Sequence, residues 1–134
     1  MHLKATVLIS FFFPVLVMAQ EAEIRNEYNS YLEDFMAFDF EGLATHFTTP
    51  VIFIGTSTQV TQDENAIKNY YRYLKANIQN GYAYSESSLA VNQVTDKIHC
   101  LTNTFTRYNS ADEVLLEATS YNFLRKRNLA GNYF

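Results

Sequence analysis

Arg107 is charged but lies in a half-apolar segment, so its charge needs a partner. Glu86 and Glu117 lie in the two segments that we expect to flank it. A guanidinium donates paired N–H groups to a carboxylate. Arg107 therefore either forms a cross-strand ion pair with a glutamate or binds a carboxylate at the mouth of a pocket. The ion pair is the ordinary explanation, and carboxylate binding stays open as the alternative.

The histidines could take part in acid–base chemistry or bind a metal ion, because imidazole titrates near neutral pH and is a common metal ligand. His46 lies off the apolar stripe of its neighbours, which predicts that it faces solvent or caps a short helix. His99 has no carboxylate closer in the sequence than Asp96. The sequence has no H-x-H or H-E-x-x-H spacing, so we expect no metal site and no cofactor.

Tyrosine and phenylalanine make up 16% of the sequence. An apolar cavity with a few hydroxyl groups is suited to a small hydrophobic ligand. The same rings could instead fill the interior and leave no space for a ligand. The sequence leaves both interpretations open.

Three segments carry apolar residues at the spacing of an α-helix. Between residues 24 and 38 they fall on one helical face. Asp39 is placed to cap a short second helix. Thr61 and Glu64 form a capping box that opens a third helix, and Gly81 suits the left-handed position after its end. We therefore expect three helices in the N-terminal part of the fold.

Five segments predict β-strands. Val51–Ile54 is β-branched and aromatic, and a short polar turn separates it from residues 59–60, which predicts a hairpin. Residues 82–94, 98–108 and 114–125 predict three long strands joined by polar turns. Polar residues on both faces of these strands indicate a curved antiparallel sheet that wraps partly around the helices.

The first nineteen residues predict a cleaved secretory signal. A basic start at residues 1–4 precedes an apolar run over residues 5–18, and Ala19 ends a small-x-small cleavage pattern. Pro14 interrupts the run, which is shorter than the roughly 20 residues of a membrane-spanning helix. We expect a periplasmic or secreted protein after cleavage near Ala19, with residues 20–134 as one domain and no stable membrane anchor.

Charge and cysteine content restrict the partners of the chain. The formal net charge is −4, and basic residues cluster only at residues 125–127. We therefore expect no nucleic-acid partner. Cys100 is the only cysteine, so it cannot form an internal disulfide, and we expect a small core residue.

The predicted order of helix, helix, hairpin, helix and three strands resembles the nuclear transport factor 2-like superfamily, which includes SnoaL-like cyclases and ketosteroid isomerase. The segments that carry the resemblance are Tyr31-Leu32, Asp39-Phe40-Glu41-Gly42-Leu43, His46-Phe47, residues 63–74, Phe105-Thr106-Arg107-Tyr108 and residues 120–126. The resemblance implies an α+β fold in which three N-terminal helices pack in the concavity of a strongly curved antiparallel sheet, a cystatin-like cone.

The C-terminus departs from this resemblance. Relatives continue past a Gly-x-aromatic turn into a final strand, whereas this sequence stops after Gly131-Asn132-Tyr133-Phe134. A missing edge strand would leave a row of unpaired backbone groups on its neighbour. Either the sequence is truncated or the sheet lacks an edge strand, and we favour truncation.

The resemblance to ketosteroid isomerase implies three site positions. The tyrosine of that enzyme falls on Tyr31, its sheet acid falls near Tyr121, and its carboxylate base falls at Ile54-Gly55, which offers no titratable group. Proton abstraction is therefore not expected. Tyr31 and Tyr121 could donate hydrogen bonds to a ligand carbonyl, although local ring packing is the favoured interpretation. Scytalone dehydratase-like relatives use histidines with an aspartate, which implies a possible enzymatic role for His46.

Three functions remain open. We favour an exported domain that binds a small apolar or carbonyl-bearing molecule without catalysis. The first alternative is a protein-interaction module that forms a homodimer through its sheet. The second is an isomerase, cyclase or dehydratase that uses Tyr31 and His46. The candidate pocket residues are Tyr31, Phe35, Phe53, Tyr71, Tyr84, Arg107 and Tyr121.

Overall fold

The computed structural model describes residues 12–125, and side chains from residue 18 onward. The elements are α1 (Phe12–Ala37), α2 (Phe40–Thr45), β1 (Val51–Ile54), β2 (Thr58–Thr61), α3 (Glu64–Asn77), β3 (Tyr82–Gln93), β4 (Ile98–Asn109) and β5 (Val114–Arg125). This order is the predicted one. The basic start of the predicted signal sequence and the C-terminal segment at which an edge strand is expected to be missing lie outside the described residues. Within residues 12–125, no helix is both long and apolar enough to span a bilayer.

The strands form two antiparallel sheets. β1 and β2 form a hairpin in which Val51 pairs with Thr61 and Ile54 pairs with Thr58. β4 is the central strand of a second sheet, flanked by β3 and β5. Each of these three strands is 12 residues long, about twice the usual length. Helices packed against an antiparallel sheet confirm the predicted α+β class.

Two core clusters hold the helices in place. Ile24 and Tyr28 of α1 pack with Leu101 of β4 and Leu124 of β5 on one face of the long sheet, which we call its inner face. Full burial of a large apolar side chain contributes about 1.5–3 kcal/mol. The second cluster consists of Leu43 and Ala44 of α2 with Ile67 and Tyr71 of α3. Tyr31 of α1 contacts both clusters.

Alternation along β4 decides which residues face the helices. His99, Leu101 and Asn103 are all buried, so they share the inner face. Cys100 lies on the opposite, outer face, where it is partly exposed and pairs with the 69% exposed Phe123. The expectation that Cys100 is a core residue is therefore wrong. Its neighbours His99 and Leu101 face inward instead, and Leu101 packs against α1.

The helix ends partly follow the sequence signals. Asp39 caps α2 as predicted, because its Oδ1 accepts a hydrogen bond of 3.0 Å from the Gly42 N–H. The cap of α3 is Asp63 instead of Thr61, which ends β2 and donates from its hydroxyl to the Val51 carbonyl. An aspartate at this position also adds negative charge to the positive end of the helix dipole. Gly81 has a positive φ of 81°, but it precedes β3 and does not directly follow α3.

Candidate functional site

An open cleft of about 1100 Å³ lies on the inner side of the fold. Its walls come from α1, the connection between α2 and β1, β1 itself, α3, the inner face of the long sheet and both faces of β5 at its edge. Ligand pockets in proteins commonly have volumes of about 300–1000 Å³. The cleft is therefore large enough for a small organic molecule. Of the predicted pocket residues, those that line it are Tyr31, Phe35, Phe53, Tyr71, Arg107 and Tyr121.

Two tyrosine hydroxyls meet in the cleft wall. The oxygens of Tyr31 and Tyr71 lie 3.1 Å apart, at hydrogen-bond distance. Burial raises the pKa of both phenols above the ordinary value of 10.0, so both are protonated at neutral pH. When one hydroxyl donates to the other, the accepting hydroxyl keeps its own proton. That proton can be donated to a ligand oxygen.

Aromatic rings surround this hydroxyl pair. The rings of Phe53 and Tyr70 are stacked with centroids 3.9 Å apart, and the centroid of the Phe47 ring lies 5.6 Å from that of Phe53. Alternation in β1 turns Phe53 inward while Ile52 and Ile54 are 60% and 82% exposed. The hairpin thus supplies an aromatic wall with apolar residues on its opposite face. Ring faces of this kind bind flat apolar molecules.

His46 is held between two carboxylates of α1. It is the C-cap of α2, which confirms one of its two predicted positions, and its side chain is 11% exposed, so the solvent-facing alternative is wrong. Its Nδ1 lies 2.9 Å from Glu27 and its Nε2 lies 2.8 Å from Asp34. A neutral imidazole has one N–H and can donate to one of the two carboxylates, whereas an imidazolium can donate to both. Glu27 and Asp34 are seven residues apart, and this two-turn spacing was the signal available in the sequence.

The described side chains around His46 are not arranged to bind a metal ion. Its two ring nitrogens point in different directions, and each one already contacts a carboxylate. Among the described residues, no group of three or more His, Cys, Asp or Glu side chains is arranged to hold a metal ion. The two contacts instead fix the orientation of the imidazole. Its ring meets the Tyr31 ring edge-on at 5.9 Å.

A second polar group lies where α1 meets the long sheet. The Tyr28 hydroxyl accepts hydrogen bonds from Asn122 at 3.1 Å and from Asn103 at 3.4 Å. Burial raises the pKa of Tyr28 as well. The buried Oδ1 of Asn103 has no hydrogen-bond partner among the described residues. All three side chains line the cleft, and the sequence predictions did not include them as a site.

Arg107 extends from the inner face of β4 into an aromatic environment. Its Cζ lies 5.8 Å from the centroid of the Phe35 ring, 5.7 Å from that of Tyr82 and 5.2 Å from that of Phe105. Its Nη1 donates to the Gln79 side-chain oxygen at 2.7 Å. Its Nε is buried without a hydrogen-bond partner among the described residues. Burial lowers the pKa of Arg107, as expected for a cation removed from water.

The expected cross-strand ion pair of Arg107 is wrong. Arg107 pairs in register with Ser85 and Leu116, whereas Glu86 and Glu117 pair with its neighbour Thr106 and so lie on the outer face. Alternation therefore separates the guanidinium from both glutamates. No salt bridge involves Arg107 within the described part of the chain.

Two predicted pocket tyrosines lie away from the hydroxyl pair. Tyr84 lies on the outer face, where it stacks on Tyr108 at 4.9 Å and donates to Asp112 at 2.9 Å. A register shift between Tyr82 and Tyr84 changes the alternation there. Tyr84 is not among the residues that line the cleft. Tyr121 is 67% exposed at the cleft rim. The hydroxyl that pairs with that of Tyr31 belongs to Tyr71 instead.

Comparisons with known proteins identify the family. A family model described as NTF2-like protein (DUF6841) matches residues 20–131. The chain belongs to this NTF2-like family. No curated protein sequence matches the chain.

Solved structures share the fold at low sequence identity. A protein of unknown function with a cystatin-like fold from Nostoc punctiforme is 16% identical with a TM-score of 0.69, over 85% of this chain and 84% of that one. A ketosteroid isomerase-like protein from Erwinia carotovora atroseptica is 17% identical with a TM-score of 0.60, over 84% and 87%. A Catenulispora acidiphila protein in complex with S-DNPA is 15% identical with a TM-score of 0.66, over 87% of each chain. These similarities confirm the cone-shaped fold alone.

Proposed function

We propose that this NTF2-like domain is an exported binding protein for a small molecule with an apolar body and a carbonyl or similar oxygen. The observation that carries the proposal is the Tyr31–Tyr71 hydroxyl pair, 3.1 Å apart within an aromatic wall of the cleft. An apolar cleft with a few fixed polar groups is the usual form of a small-molecule site. The rings supply contact area, and the shared hydroxyls orient the ligand oxygen.

Three features favour binding over acid–base catalysis. Ile54, at the position that the isomerase resemblance assigns to the base, is 82% exposed and has no titratable group. The phenols of Tyr31 and Tyr71 stay protonated because burial raises their pKa values, so they donate protons in hydrogen bonds and do not abstract them. Both ring nitrogens of His46 already face carboxylates, which leaves no nitrogen lone pair directed at a substrate.

Binding can be tested with two molecules that differ in one group. Acetylnaphthalene has a carbonyl where isopropenylnaphthalene has a C=CH₂ group of similar shape. We expect the ketone to bind about fivefold more tightly, because a hydrogen bond contributes about 1 kcal/mol. Isothermal titration calorimetry measures both affinities. Binding of neither compound would contradict the proposed function.

Export is part of the proposal and rests on residues 1–19. The match to the family model begins at Gln20, the residue at which we expect the mature chain to start. The full sequence can be expressed in a bacterium and the periplasmic fraction subjected to N-terminal sequencing. We expect an N-terminus at Gln20. A chain that stays in the cytoplasm with residues 1–19 attached would contradict export.

A second candidate function is self-association through the sheet. Exposed apolar side chains at the cleft rim favour it, namely Ile52 at 60%, Ile54 at 82%, Tyr121 at 67% and Phe123 at 69%. Exposed apolar patches often mark protein contacts. Light scattering coupled to size-exclusion chromatography tests this function. A dimer that dissociates on Phe123→Ser would support it, and a monomer at all concentrations would exclude it.

A further inference from the structure

Arg107 is a cation without an anionic partner among the described residues. A half-buried guanidinium loses much of its hydration, and this loss is normally offset by a carboxylate. Arg107 instead meets three aromatic rings and the neutral amide of Gln79, and no acidic partner lies within salt-bridge distance among the described residues. The chain is acidic, with 14 Asp and Glu residues, so carboxylates are not scarce. Their separation from Arg107 is a property of this position.

The guanidinium is held in place and still has donors to offer. An arginine has five N–H groups in a planar fork. The only hydrogen bond that Arg107 makes within the described side chains joins its Nη1 to Gln79. The rings of Phe35, Tyr82 and Phe105 pack around the guanidinium and restrict its movement. A planar acceptor with two oxygens matches the remaining donors.

Arg107 belongs to the same cleft as the tyrosine hydroxyls. The Phe35 ring is close to both, with its centroid 5.8 Å from the guanidinium carbon and 6.3 Å from the centroid of the Tyr31 ring. Both Arg107 and Tyr31 line the cleft. A ligand that packs on Phe35 would therefore lie near both the cation and the hydroxyl pair.

We infer that the ligand is an organic carboxylate with an aromatic or other flat apolar body, and that Arg107 binds its carboxylate group. This inference rests on the proposed function and specifies its ligand class. The tyrosine hydroxyls bind an oxygen farther along the ligand. Gln79 positions the guanidinium and is not itself the recognition group.

The test compares naphthoate with naphthamide, which have the same shape but differ in charge. Calorimetric titration of the mature chain should give an affinity about tenfold or more higher for naphthoate, because hydrogen bonds to charged groups are stronger than neutral ones. Arg107→Gln should remove this preference and leave naphthamide binding within about twofold. The matched control is Arg72→Gln. Arg72 also lies over a ring, that of Phe40 at 5.4 Å, but it does not line the cleft, so the preference should persist.

A second variant covers the case in which Arg107→Gln does not fold. Gln79→Glu keeps Arg107 and places a competing carboxylate beside its Nη1, so the preference for naphthoate should fall severalfold. Equal affinities for the two probes in the unmodified protein would overturn the inference and leave the proposed function intact. A preference that persists in both variants would also overturn it. Binding of neither probe would overturn both the inference and the proposed function.

Discussion

The two clusters that hold the helices differ in composition. Where α1 packs on the long sheet, aliphatic side chains predominate, with Ile24 and Leu101 0% exposed, and Tyr28 adds a single hydroxyl that meets Asn103 and Asn122. Beneath the hairpin, aromatic rings predominate, some of them with hydroxyl groups, and the space beside them stays open as the cleft. Tyr31 contacts both regions. The first region packs mainly through aliphatic side chains, whereas the second combines aromatic packing with the Tyr31–Tyr71 hydroxyl pair.

The largest effect should come from the aliphatic region. Leu101→Ala removes a fully buried side chain, and we expect the free energy of unfolding to fall by about 2–5 kcal/mol. Urea denaturation followed by circular dichroism measures this change. The control is Thr104→Ala on the exposed outer face, which should change stability by less than about 0.5 kcal/mol. A small loss for Leu101→Ala would contradict the stabilising role of the aliphatic contact between α1 and the long sheet.

The carboxylate pair around His46 should produce the next largest effect. His46→Ala leaves Glu27 and Asp34 close together without the imidazole between them, and we expect a loss of about 1–3 kcal/mol. Adding Glu27→Gln and Asp34→Asn should recover part of that loss, because these changes remove the uncompensated charges. Urea denaturation of both variants measures the recovery. Equal losses in the single and triple variants would argue against charge pairing as the role of His46.

Alkaline pH should test the burial of the hydroxyl pair. Burial raises the pKa values of Tyr31 and Tyr71 above 10.0, so above this pH the unfolded chain loses phenolic protons that the folded chain keeps. Stability should therefore be unaffected by these groups below about pH 10 and fall above it, by up to about 1.4 kcal/mol per pH unit for each tyrosine.

The measurement for this prediction is urea denaturation at about pH 9 and about pH 11. The variant with Tyr31→Phe and Tyr71→Phe should lose less stability between these pH values than the unmodified protein does. The control is Tyr73→Phe, because Tyr73 is 60% exposed. The same pH dependence in all three proteins would contradict burial of the hydroxyl pair.

The smallest effect concerns ligand affinity at one hydroxyl. Tyr31→Phe should leave folding intact and weaken binding of acetylnaphthalene by about 1 kcal/mol, because it removes one partner of the hydroxyl pair. Affinity for isopropenylnaphthalene should be unchanged. Calorimetry measures both values. An unchanged affinity for the ketone would remove Tyr31 from the site.

Local sequence patterns predict most of the fold. Strand periodicity and turn residues locate β1 and β5 at their observed bounds, since these signals depend on neighbouring residues. Asp39 is recognisable as a cap for the same reason. The cap of α3 is harder to predict, because Thr61 and Asp63 both fit a cap and pairing within the hairpin decides between them.

The site is less predictable because it depends on register between distant segments. The apolar character of Cys100 suggested the core, but the register of β4 directs His99 and Asn103 inward. The position of Arg107 relative to Glu117 likewise depends on which residues pair across β4 and β5. His46 contacts two residues of α1 that lie 12 and 19 positions before it in the sequence. This relation becomes visible only once α2 folds back on α1.

The most direct test of a binding cleft is a titration of the ¹⁵N-labelled mature chain with acetylnaphthalene, followed by two-dimensional NMR. Chemical-shift changes should concentrate at the amides of Tyr31, Phe53 and Tyr71, which line the cleft. The amides of Thr102 and Thr104, on the outer face of β4, should stay unchanged. Shift changes confined to the outer face, or none at all, would contradict a binding function for the cleft.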